Sequence, residues 1–104
     1  MEREAMSEIP EIVSFIEQVR VDPRIGPMHV SVYTAIYCCW WQQGRNATAE
    51  FRGRELMSMA KIGGPAAFYR TIKQLHAYGY IRYEPSTVSM VKSRAWLVWD
   101  SAGK

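Results

Sequence analysis

Between Ser7 and Arg20 the apolar residues Ile9, Ile12, Val13, Ile16 and Val19 recur at spacings of three, one, three and three. That rhythm puts them on one side of a helix. Ser7 is placed to cap it, and Glu8 and Glu11 stand in the first turn, where the helix dipole favours acids. The stretch VDPRIGP then interrupts the chain with Pro23, Gly26 and Pro27. A second helix is predicted from about Met28 to Gln43. Its apolar positions, Val30, Val32, Tyr33, Ile36, Tyr37, Cys39 and Trp40, leave so little polar surface that it reads as the buried central helix. Gly44 ends it.

TAEF (Thr48–Phe51) predicts a short strand, and Gly53 to about Lys61 a third helix with Leu56, Met59 and Ala60 turned inward. Ile62-Gly63-Gly64 is a tight turn, and Pro65 suits the first position of a fourth helix, which Gly79 closes. Tyr80 to Glu84 alternates as a strand, Pro85 to Ser93 is a polar hairpin loop, and Arg94 to Trp99 returns as a second strand. RAWLVWD is apolar on both strand faces, with Ala95, Leu97 and Trp99 on one and Trp96 and Val98 on the other. The second face therefore calls for a cover, either the first helix or another subunit.

On the fourth helix, Phe68, Ile72 and Leu75 form one stripe. The opposite side gathers Ala67, Arg70, Lys73, Gln74 and Ala77, with no acid among them. Ala66 and Ala67 keep the first turn slim, so that its end can approach another surface closely. A solvated helix would show the same wheel, and its surroundings must decide.

Charge is the first of these. Residues 1–22 carry Glu2, Glu4, Glu8, Glu11, Glu17 and Asp22 against Arg3 and Arg20, for a net −4, while residues 23–104 hold a net +7. A basic body behind an acidic N-terminal segment points to a polyanionic partner. The 104 residues suffice for one domain, and 48% hydrophobic with 22% charged composition is that of a globular protein. No apolar run approaches the roughly 18 residues of a membrane span, and MEREAMSEIP lacks the apolar stretch of a secretory signal, so a cytoplasmic location is expected. Cys38 and Cys39 are adjacent, which rules out a disulfide framework, and with only His29 and His76 as further soft ligands no metal or other cofactor is expected. Both cysteines, like Trp40 and Trp41, are expected to pack in the core.

The stretch RELMSMAKIGGPAAFYRTIKQLHAYGYI, Arg54 to Ile81, resembles the winged helix-turn-helix of bacterial regulators. Glu55 and Leu56 match that motif's opening, Ala60 its small packing position and Ile62-Gly63 its turn. Phe68 takes the buried place, Arg70 the basic place, and Ile72, Leu75, Gly79, Tyr80 and Ile81 the tail. The resemblance extends over residues 28–100 with the core helix and wing, and the chain is similar to small single-domain regulators of Bacteroidetes mobile elements. Gly64-Pro65 departs from the motif's usual Ser or Thr, which removes one phosphate donor.

The resemblance implies an α+β fold, mostly helical, with a small β-hairpin wing and an extra N-terminal helix. Residues 1–26 would form the acidic helix and linker, a candidate dimerisation element, 27–100 the winged-helix domain and 101–104 a tail. It implies DNA contacts from Ala66, Ala67, Tyr69, Arg70, Lys73 and Gln74 on the helix and from Lys92 and Arg94 in the wing. The partner would be double-stranded DNA, bound by a homodimeric transcriptional regulator. No nucleophile–base pair, phosphate loop or H-E-x-x-H is present, so neither catalysis nor a small-molecule ligand is expected. The alternative is a winged helix used as a protein-interaction module in a replication or conjugation assembly, which the aromatic-rich segments would suit.

Overall fold

A computed structural model describes residues 11–88 and 91–98. Among these are four helices, α1 (Glu11–Val19), α2 (Pro27–Gln42), α3 (Gly53–Ala60) and α4 (Pro65–Ala77), and three strands, β1 (Ala49–Phe51), β2 (Ile81–Glu84) and β3 (Ser93–Leu97). The strands form one antiparallel sheet in the order β1-β3-β2. This is a compact α+β domain. Ser7, Ile9 and Trp99, to which the sequence reading gave roles, lie outside the described residues.

The central helix is where the sequence placed it. Val32, Tyr33, Ala35, Ile36, Cys39 and Trp40 of α2 are buried, and α1, α3, α4 and β1 all pack on it. Such a helix leaves little polar surface because almost every side of it meets a neighbour. One face of the sheet completes the core through Ala49, Phe51, Ile81 and Ala95. Cys39 is buried, and burial pushes its thiol up; Cys38 is half-buried. Trp40 is buried and its indole N–H donates to the Asn46 carbonyl at 2.6 Å. Trp41 corrects the expectation of core packing. It is 52% exposed, with the Arg45 guanidinium 4.7 Å above its ring.

The inward side of α1 also differs from its predicted stripe. Phe15 and Val19 are buried, whereas Val13 and Ile16 face outward. Phe15 stacks flat on Tyr33, with ring centroids 3.6 Å apart, and meets Tyr80 edge-on at 5.6 Å. A phenyl ring buries more area than an isoleucine can, so these contacts turn the helix. On α3, Leu56 and Ala60 are buried but Met59 is exposed.

The linker between α1 and α2 is fastened to the far side of the domain through Asp22. Its carboxylate accepts the Tyr80 hydroxyl at 2.6 Å and the Arg24 Nε and Nη2 at 2.9 and 2.8 Å. The guanidinium lies 4.3 Å over the Tyr78 ring. Hydrogen bonds from Arg24 first, and from Tyr80 second, hold the Asp22 carboxyl well below the usual carboxylate range.

Both outer edges of the sheet are occupied by side chains. The Gln43 amide mimics a strand, accepting the Glu50 N–H at 2.9 Å and donating to the Glu50 carbonyl at 2.6 Å. On β2, the Tyr83 N–H donates to His76 Nδ1 at 3.0 Å. Such capping blunts edges that would otherwise template pairing with another chain.

Candidate functional site

The turn Ile62-Gly63-Gly64 leads into α4 with no side chain capping its first turn. Phe68, Ile72 and Leu75 are fully buried, as their spacing requires, and Thr71 joins them. Burying Thr71 is permitted because its hydroxyl donates back to the Ala67 carbonyl at 2.8 Å. That fourth inward residue rotates the exposed stripe. The outward side is Ala66, Tyr69, Arg70, Lys73, His76 and Ala77, at spacings of three, one, three, three and one.

Four of the six predicted helix positions therefore face solvent: Ala66, Tyr69, Arg70 and Lys73. The other two do not. Ala67 packs against the core, and Gln74 is half-buried with its Oε1 2.7 Å from His29 Nε2. His29 Nδ1 accepts the Gly26 N–H at 3.0 Å, so Nε2 carries the proton that Gln74 receives. Gln74 thereby braces α4 against the start of α2.

Tyr69 joins the helix face to its neighbour. Its hydroxyl sits where a Cβ on Gly53 would stand, so the start of α3 can come this close only because that residue is glycine. Arg52 and Arg54 flank Gly53 and are exposed. Among the described residues, Arg54, Lys61, Arg70, Lys73 and Lys92 make no ion pair. The helix α4 contains no acid. Its exposed side is thus a basic surface that adjoins the N-terminus of α3, where Arg54 and Glu55 are both exposed.

The hairpin loop follows different rules. Arg94 forms an ion pair with Glu84, its cross-strand partner, and Glu50 of β1 is its partner on the other side. The pair with Glu84 partly neutralises the guanidinium, while the Arg94 side chain stays 47% exposed. Together with Arg82 it also covers Trp96, the two guanidinium carbons lying 5.4 and 5.2 Å from the ring centroid. Two arginines of the sheet therefore lie against this face. Lys92 is exposed, as expected.

Two features escaped the sequence reading. One is the outward His76, which both faces the exposed side of α4 and caps β2. The other is a pair of valines in a loop read as polar: Val88 and Val91 are 55% and 57% exposed. Val91 donates its N–H to the Val88 carbonyl at 2.9 Å, and the Ser86 hydroxyl accepts the Val88 N–H at 3.1 Å. Comparison of the chain with protein-family models, with curated proteins and with solved structures returned no match.

Proposed function

We propose that the chain binds duplex DNA through the exposed side of α4 and acts as a transcriptional regulator. One observation carries the reading: Arg70 and Lys73 stand outward on a helix without acids, make no ion pair among the described residues, and adjoin Arg52 and Arg54 through Tyr69 and Gly53. An unpaired basic stripe on a rigid helix suits a major groove, where Arg reads base edges and Lys meets phosphate. The succession α3, glycine turn, α4, β2, loop and β3 is compatible with a winged helix-turn-helix, in which α4 would be the recognition helix and the loop Pro85–Ser93 the wing. Bracing by His29 and Gln74 would keep α4 rigid at the groove.

The test is an amide chemical-shift titration with a random-sequence duplex at low salt. Shifts clustered at Ala66, Tyr69, Arg70 and Lys73 are expected. Absence of shifts, or shifts confined to α1, would overturn the reading.

One observation favours a second reading, the interaction module. A groove of about 830 Å³ runs between α1 and the start of α2, lined by Ile16, Val19, Val21, Ile25 and Val30 among others. It suits an apolar segment of a protein partner, or a second copy in a homodimer.

A further inference from the structure

We propose that Tyr69 is a positioning residue of the basic surface, a deepening that rests on the DNA reading above. Lodged against Gly53, its ring sets the distance at which Arg54, at the start of α3, stands from Arg70 and Lys73 on α4.

The need for glycine at position 53 is steric. Gly53 opens α3 with a backbone that any residue adopts, since positive φ among the described glycines is confined to Gly44 and Gly79. A Cβ there would lie 2.1 Å from Tyr69 Oη, closer than carbon and oxygen can stand, and 3.1 Å from Cζ. Of the other described glycines, only Gly26 has a neighbour even at 4.0 Å. Alanine is the better helix former, by up to about 1 kcal/mol in a helix interior, so glycine here gives up helix stability for the close approach.

The ring is held at its other end too. Tyr69 follows the fully buried Phe68, and the two rings meet edge to face at 4.9 Å. A tyrosine has only two side-chain torsions and a rigid ring, so contacts at both ends make it a strut. It runs across the surface, 38% exposed, rather than through the core.

What the strut spaces is charge. Arg54 follows Gly53 and Arg70 follows Tyr69; both are exposed, and neither makes an ion pair among the described residues. At about 100° per residue, Arg54 stands little more than a quarter turn from the Gly53 contact, whereas Glu55 lies on the far side of α3. Cations held at a fixed separation lose less freedom on meeting a row of phosphates than cations that drift.

The experiment uses the full chain and a random-sequence duplex. Anisotropy gives affinity across a salt series, and thermal melts establish that each variant is folded at the assay temperature. G53A should bind more weakly, with a slope of log K against log salt shallower by about one unit, the signature of one lost phosphate contact. Loss of folded protein alone would lower affinity equally at every salt and leave the slope unchanged. G53A/Y69F removes the clashing oxygen and should regain the affinity and slope of Y69F. In an R54A background, itself shallower by about one unit, G53A should cost no further affinity. Y69A removes the strut without altering α3 and should lose the same unit of slope.

Wild-type slopes in G53A and Y69A would overturn the spacing role while leaving DNA binding by Arg70 and Lys73 intact. So would a G53A/Y69F variant that binds no better than G53A, or a wild-type slope in R54A. Absence of duplex binding by the wild type would overturn both readings together.

Discussion

Replacing Asp22 with alanine should destabilise the domain by about 2–3 kcal/mol, and the reason lies in which partner is stranded. Tyr80 is buried, and its hydroxyl donates to Asp22 at 2.6 Å. Removing the acceptor leaves a buried donor unpaired, which costs about 1–3 kcal/mol. The Arg24 pair adds less, because its guanidinium side chain is 52% exposed and water replaces the carboxylate. Urea unfolding followed by tryptophan fluorescence measures the sum. A double-mutant cycle with Tyr80→Phe separates the parts, since the phenyl ring needs no acceptor and most of the loss should vanish in D22A/Y80F. The pH dependence supplies a second check. The folded Asp22 carboxyl is held below its unfolded value of about 3.8. Its contribution is therefore complete above that pH and declines as pH falls below it toward the lower folded value. Wild type and D22A should converge in acid. A loss under about 0.5 kcal/mol at neutral pH, or a gap that stays constant into strong acid, would refute the argument.

At the alkaline end, burial first and the Asp22 hydrogen bond second push Tyr80 up to about 12. An unfolded tyrosine ionises near 10, so the unfolded state sheds its proton first and stability should fall between about pH 10 and 12; a wild-type loss matched by Y80F in alkaline urea titrations would contradict this. Among the described residues, the fully buried Tyr33 hydroxyl has no hydrogen-bond partner. Tyr33→Phe removes that burden and should raise the melting temperature by roughly 4–8 °C, for about 1 kcal/mol, in a calorimetric scan; a fall would show that the hydroxyl has a partner in solution. Gln43→Ala strips both bonds from the Glu50 backbone. It should lower the urea midpoint by the equivalent of about 1 kcal/mol and increase light scattering at high concentration, because the β1 edge is opened.

Much of the fold was legible because helical spacing leaves few choices. Phe68, Ile72 and Leu75 could only share a face, and the near-continuous apolar run of α2 could only be central. The orientation of α1 was not legible, because two overlapping stripes fit the same segment. Ile12, Phe15 and Val19 are spaced as well as Ile12, Val13 and Ile16, and only the stacking of Phe15 on Tyr33 chooses between them. At the candidate site the basic pair Arg70 and Lys73 stood out on the wheel. The exposed stripe was nevertheless displaced, since Thr71 hides its hydroxyl by bonding its own helix and Gln74 is drawn inward by His29, 45 residues away. Arg94 hid its partner for a related reason. Its neutralisation by Glu84 depends on strand register, which the loop's composition does not specify. The valines of the tip were visible in the sequence, but a polar setting masked them.

The account stands on Arg70 and Lys73 meeting the nucleic acid, and the salt dependence of duplex binding tests that most directly. The observed association constant should be measured by anisotropy across a salt series, for wild type and for R70A/K73A. Each phosphate contact contributes about 0.9 to the slope of log K against log salt. The account predicts micromolar binding that weakens steeply with salt in the wild type. It also predicts weaker binding in the variant, with a slope shallower by about one unit if only Lys73 meets phosphate and about two if both do. Equal affinities and equal slopes for the two proteins, or no wild-type binding even at low salt, would contradict it.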